Sequence, residues 1–521
     1  MVGEDQPTDA ASRPALRTLA SSMRSVRTRL LGGVPWGTLT LCVLLVAVYL
    51  VVQRGAGGRP LTIPFTSWSY SQPLGVLLSP VAHLGPDHLI DNLVGVLVFG
   101  SMAEYIVGHV PRDGTGRDRP WKRAGARAFV LFPGAALLAG VVASAFSWGP
   151  TLGFSNVVFG FAGLALVRYP LGTVVALSAR DALAVVVRAA EQPIFVAGRT
   201  SAADPWFVDT AVQSHAFGLL LGVAVGVGLL VARDADPPSP FRLWTGVALF
   251  ALVQSLWAIW WPQGTTYVLA RGPGVALVAC LATLVTVGAA LATSGVGPLG
   301  DERTRQVGFA ALVVPLAVTA GIAVPINATA DVTAPPDAET VDVGGYAVTY
   351  AEGVQNQRLA PFAAVTGEPA QASGVLVVDP KRGVWTRAVS TQALASDGTA
   401  AVRLGGLGWD RTVFAVRRAW ETADGDAASQ VWVNPKDGGF HRVYASPPAR
   451  AAPVVEGYNV TVVPRGVRFR LRVSRDNETV GTIPVPDRGK NVTLGRLEIR
   501  REGEQLVAVA NRTRVVVARR K

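Results

Sequence analysis

Charge and cysteine are both scarce in this chain. Only 16% of its 521 residues are charged while 50% are hydrophobic. A soluble globular domain carries nearer a quarter charged residues, so the balance points to a membrane protein. The two cysteines, Cys42 and Cys280, lie in separate apolar runs. They offer neither a disulfide framework nor a zinc site and read as small buried apolar residues. The H-E-x-x-H signature of a zinc protease is missing, and His83 and His88 stand five apart without a carboxylate in ligand position. A basic helix interleaved with aromatics is also missing, so the net charge of +12 does not imply a nucleic-acid partner. No small-residue cleavage pattern follows the basic residues 1–35, so the first apolar run reads as a retained helix and not a signal peptide.

What the chain does have is a series of long apolar runs. Candidate spans cover 36–52, 88–108, 127–147, 153–168, 171–190, 213–232, 243–261, 273–293 and 306–326. Each approaches the ~20 apolar residues that a bilayer-crossing helix needs, although 153–168 is short. Arg180 and Asp181 interrupt the fifth. A charge at a helix centre costs about 2.5–3.5 kcal/mol, so this pair faces protein or water, or the span is shifted.

Starting from the cytoplasm, these spans put Arg112, Arg117, Arg119, Lys122 and Arg123 in one inner loop, Pro111–Ala126. The outer loops hold only Arg54 and Arg59, Arg199, and Arg271. That asymmetry is what the positive-inside rule predicts. An odd number of spans places the segment after about Ile326 outside. The N-x-[ST] acceptor pattern agrees, occurring at Asn327, Asn459, Asn477, Asn491 and Asn511 and nowhere earlier. These five are expected sites of N-glycosylation.

Beyond residue 330 the long apolar runs stop. Short apolar or alternating stretches appear instead, among them Gly374–Val378, Val413–Val416, Val431–Val433, Arg468–Val473 and Leu506–Val509. Turn residues separate them, as in Asn434–Gly439, Arg475–Asn477 and Glu502–Glu504. This pattern predicts an all-β domain, a sandwich or similar. The expected fold class is therefore an all-α polytopic membrane bundle with a C-terminal all-β extracytoplasmic domain. The divisions are a basic cytoplasmic tail 1–35, a six-span core 36–232, three added helices 233–326 and the outer domain 327–521.

Polar residues at the outer ends of spans carry the candidate chemistry. His83 and His88 precede or open the second span, Ser155 opens the fourth and His215 opens the sixth. Under this topology all three spans start on the outer side, so Ser155, His215, His88 and Asn92 share one depth. A serine hydroxyl needs a neighbouring base, and a neutral imidazole serves at physiological pH. The Ser155 backbone N–H, the His88 ring and the Asn92 amide are donors suited to an oxyanion. His88 and Asn92, four apart, share one helical face. Gly218 and Gly222 on span six, with Gly160 and Gly163 on span four, allow the close helix approach that a Ser–His hydrogen bond requires.

H-x₄-H-x₃-N at the start of one span, G-x-S (Gly153, Ser155) opening another and H-x₂-G-x₃-G (His215, Gly218, Gly222) two spans on resemble the rhomboid family of intramembrane proteases. The resemblance covers roughly residues 36–232 and implies a rhomboid-like six-helix core. It implies Ser155 as nucleophile, His215 as base in a dyad without a third carboxylate, His88 and Asn92 as oxyanion-binding residues, and His83 as a structural hydrogen-bonder. Glu104 matches a structural glutamate near the inner end of the second span. Substrates would be transmembrane proteins entering sideways from the lipid bilayer, with no metal or cofactor. Two positions depart from the family's habit: Asn156 stands where glycine is usual, and Phe159 replaces a tyrosine that stacks on the catalytic histidine. A catalytically inactive relative that binds transmembrane clients is the alternative reading.

Overall fold

The computed structural model describes residues 34–109, 125–189, 211–263, 266–294, 300–329, 331–360, 369–435, 438–451 and 454–521. The basic tail up to residue 33, most of the loop Pro111–Ala126 and Arg199 lie outside the described residues.

Apolar helices run in the order α1 (Trp36–Val52), α2 (Pro86–Gly108), α3 (Arg127–Ala145), α4 (Ser155–Arg168), α5 (Pro170–Ala189), α6 (Val212–Ala232), α7 (Pro240–Val253), α8 (Arg271–Ser294) and α9 (Asp301–Ala328). Among the described residues, six are long and apolar enough to cross a membrane, while α1, α4 and α7 are shorter. The shortness of α4 follows from its position. Its residues from Phe161 to Val167 are all buried, so it is encased by neighbours and need not match the lipid thickness itself.

Glycine sets the distance between α4 and α6. A β-carbon at Gly218 would lie 2.1 Å from the Asn156 carbonyl oxygen, and one at Gly222 only 1.9 Å from that of Gly160. Gly163 meets the Leu219 carbonyl in the same way, at 2.2 Å. Backbone therefore packs directly on backbone, as small residues permit in a membrane.

The seventh helix departs from expectation. Apolar composition predicts a span to residue 261, but α7 ends at Val253. Ser255 adopts a left-handed φ of 57°, and the hairpin β1 (Trp260–Gln263) with β2 (Thr266–Leu269) leads into α8. A non-glycine residue in that region cannot continue a right-handed helix, so the chain turns. Cys280 also differs: it is exposed on α8, not buried, whereas Cys42 is half-buried.

Past α9 the chain is mostly strand, as its alternation predicts. β3 (Val341–Val343), β4 (Tyr346–Gln355), β5 (Gln371–Asp379) and β6 (Val384–Ser390) form one antiparallel sheet in that order. β7 (Thr399–Gly406), β8 (Trp409–Thr422), β9 (Ala427–Asn434) and β10 (His441–Ala445) belong to a larger sheet. Val348, Val375, Val402 and Val431 fill the core between these two groups. β11 (Ala449–Arg450), β12 (Tyr458–Arg465), β13 (Arg468–Arg475) and β14 (Glu478–Pro484) make a third sheet. It packs Val460 and Leu471 against Ile499 and Leu506 of the C-terminal strands.

The outer domain does not complete its core alone. Ile63 and Trp68, from the loop between α1 and α2, sit in the same hydrophobic cluster as Val348 and Val402. Around that insertion Asp410 pairs with Arg54 at 2.6 Å and Arg403 at 2.5 Å, and Ser69 donates to the Arg382 carbonyl at 2.8 Å. Asn327, where α9 ends, is 5% exposed. Its side-chain amide donates to the Ser147 carbonyl at 2.8 Å, which corrects the expectation of glycosylation there. Asn477, Asn491 and Asn511 are exposed and Asn459 half-buried.

Candidate active site

The site is built at the start of α4. Gly153 has a φ of 119°, and its N–H donates to the Ser79 carbonyl at 2.8 Å. A β-carbon there would lie 2.5 Å from Cε1 of His88, so both conformation and space demand glycine. This bend delivers Ser155 as the first residue of α4. The first amides of a helix have no carbonyl one turn back, so the Ser155 N–H has no intrahelical partner.

Ser155 Oγ and His215 Nε2 are 2.8 Å apart. His215 lies in the first turn of α6, and the glycine contacts between α4 and α6 hold the two helices at the required separation. One turn below the serine, Phe159 stacks on the His215 ring with centroids 4.4 Å apart and planes 7° apart. Phe159 is itself held edge-on by Phe250 of α7 at 5.7 Å, and Phe250 in turn by Phe99 of α2 at 5.8 Å. Sequence reasoning missed Phe250, because nothing local marks one phenylalanine in an apolar run as adjacent to the site.

His88 and Asn92 line the same cavity as Ser155 and His215. His88 Nδ1 accepts from the Leu84 N–H at 3.4 Å, which leaves Nε2 to carry the proton and act as a donor. Asn92 Nδ2 donates to the His88 carbonyl at 2.8 Å, and its second N–H remains for another acceptor. His83 is fully buried. It packs edge-on against His88 at 5.3 Å, while its backbone N–H donates to Gln53 at 2.8 Å and its carbonyl accepts from Gln53 at 2.9 Å. Burial pushes the His83 imidazole down to about 3, so it stays neutral.

Glu104 works at the other end of the bundle. Its carboxylate accepts from the Gly37 N–H at 2.9 Å, the Thr38 N–H at 2.8 Å and the Thr38 hydroxyl at 2.9 Å. These are orphan donors of the α1 N-terminus, and a negative charge there also meets the helix dipole favourably. Asn156 is 2% exposed, and neither end of its amide finds a partner among the described residues.

A cavity of about 2630 Å³ runs from the dyad to the outer domain. Its helical walls include Phe99, Phe159, Phe250 and the turn after α7 at Gln254–Leu256. Irregular backbone at membrane depth is tolerated where it lines such a space. Arg180 and Asp181 line it too and pair at 3.0 Å, so the charges in α5 face a partner and a cavity.

A helical membrane bundle whose helix-end serine meets an imidazole from a second helix belongs to the class of polytopic membrane proteins with a hydrolase-like dyad. Residues 70–232 match the family model of the Rhomboid domain, so this part of the chain is similar to the rhomboid family. The domain implies an intramembrane protease or an inactive homologue of one. No curated protein and no solved structure matches the chain.

Proposed function

We propose that this chain is an intramembrane serine endopeptidase that cleaves transmembrane segments of other proteins. The observation that carries this reading is the 2.8 Å approach of Ser155 Oγ to His215 Nε2 across two helices. In the reaction the Ser155 hydroxyl attacks the scissile carbonyl while its proton passes to His215 Nε2. The developing oxyanion accepts from the Ser155 N–H, His88 Nε2–H and Asn92 Nδ2–H, and one such donor is worth about 10²–10³ in rate. The imidazolium then returns its proton to the leaving amine, and water hydrolyses the acyl-serine by the reverse route. His215 donates to no carboxylate among the described residues. Phe159 fixes its ring instead, through stacking that replaces a third catalytic member.

The chain lies in the cell membrane with its N-terminus cytoplasmic and its β domain outside. Support comes from the basic residues of the inner loops and from the outer domain's position at the Ser155 end of the bundle. The full-length protein, reconstituted with a single-span substrate, tests the reading against Ser155→Ala and His215→Ala. Product from wild type alone is expected, with each variant slower by at least ~10³-fold. Equal product from all three would leave the client-binding scaffold, a role to which the unpaired Asn156 amide beside the serine would then belong.

A further inference from the structure

Among the described residues, two buried donors in the outer domain lack an acceptor. Trp385 on β6 is 2% exposed and Arg358 8% exposed, yet Trp385 Nε1–H and Arg358 Nε–H make no hydrogen bond. Buried polar groups are ordinarily paired, so each orphan calls for an explanation. Both residues line the cavity that reaches Ser155 and His215.

Arg358 is unusual in a second way. Its terminal nitrogens donate to the neutral carbonyls of Trp68 and Gly383, and no carboxylate pairs with it among the described residues. Burial pushes its guanidinium down to about 10, which still leaves a cation at neutral pH. A buried charge without a counter-charge is costly and marks a place where one is supplied from elsewhere. Its contact with Gly383, two residues before Trp385, puts the guanidinium at the start of the strand that bears the indole. Among the described residues the outer-domain wall also carries Arg387 and Arg403 and no acid, since the lining aspartates, Asp91 and Asp181, belong to helices. Arg403 is already paired with Asp410, whereas Arg358 is buried without a carboxylate among the described residues.

We propose that Arg358 and Trp385 form a carboxylate-binding subsite at the outer end of the catalytic cavity, which takes an aspartate or glutamate side chain from the extracytoplasmic flank of the cleaved protein. A carboxylate offers two oxygens and a negative charge, matching two N–H donors and one cation. The occupant follows from continuity: a polypeptide leaving the scissile bond toward the outside passes this wall within the same cavity. The inference rests on the protease reading for its substrate, not for its donors.

The test uses the full-length protein in vesicles and paired single-span substrates whose outer flank carries either acidic residues or their amides. Wild type is expected to show a KM about tenfold lower for the acidic partner at similar kcat, the size of one charge-assisted hydrogen bond. Trp385→Phe removes the N–H while keeping the ring and is expected to shrink the acid-to-amide ratio. Arg358→Gln is expected to bring it close to one. A general folding loss scales both substrates alike and leaves the ratio unmoved. Ser155→Ala protein, measured for binding to the same pair, separates the two readings. An acidic preference in binding without wild-type cleavage would overturn the protease and keep the subsite. Cleavage with identical KM for acid and amide would overturn the subsite and keep the protease.

Discussion

The two halves of this molecule solve cohesion with different chemistry. In the bundle, α4 and α6 touch backbone to backbone, and a single β-carbon at Gly222 would reach within 1.9 Å of a carbonyl. In the outer domain, side chains such as Val348, Val402 and Val431 interdigitate between sheets, and charged pairs decorate the rim. The difference follows from the solvent. Lipid offers no hydrophobic drive toward helix association, so close fit and small residues carry it. Water drives the β domain's valines together without help. The Ser155–His215 contact lies in the half that tolerates least displacement.

The comparison is tested hardest at Gly222. Gly222→Ala forces α4 and α6 apart where no side chain is available to yield, and a shift near 1 Å in a catalytic pair costs about 10² in rate. Proteolytic activity of the reconstituted variant is expected to fall by at least that factor while the outer domain keeps its thermal transition. Trp68→Ala attacks the place where the halves meet. Removing a buried tryptophan costs about 3–5 kcal/mol, and limited proteolysis is expected to release the outer domain sooner than in wild type. Glu104→Gln keeps shape but discards the charge that holds the α1 N-terminus. Hydrogen bonds to charged groups are worth about 1.5–3 kcal/mol, so a lower detergent melting temperature is expected, with the outer domain unaffected.

The smallest effect concerns Asp410. A hydrogen bond from Arg403, with the charges of Arg54 and Arg403, holds its carboxyl below the usual carboxylate range. A depressed carboxyl stabilises the folded form fully above its unfolded value near 4 and loses that contribution as pH falls through the folded one. Because the pair is partly exposed, the expected contribution is about 0.5–1 kcal/mol. Asp410→Asn is expected to remove the difference in outer-domain stability between pH 6 and pH 3 that this carboxyl provides, measured by denaturant unfolding.

Much of this arrangement is legible in the residues because it is periodic or local. Apolar runs reveal helices, alternation reveals strands such as Arg468–Arg475, and Ser155, His88 and His215 open spans at regular intervals. What escapes is tertiary. Apolar residues on both sides of Ser255 hide the turn that ends α7, since hydropathy does not register one left-handed residue. The motif at Asn327 is a three-residue pattern, blind to the carbonyl of Ser147 that occupies its amide. Gln53, which holds the His83 backbone from thirty positions away, stands at the end of an apolar run where polarity alone suggests a terminus.

The insertion of Ile63 and Trp68 into the β domain also bears on how the molecule is made. Trp68 leaves the ribosome early, and Arg358, which grips its carbonyl, follows 290 positions later. Domains fold in the order of synthesis where they can, but this loop must wait, unsheathed, until α9 has been made, since β3 begins only at Val341. The cover over the reactive end is thus among the last parts to close, and a ribosome that stalls before the sheets yields a bundle with its roof missing.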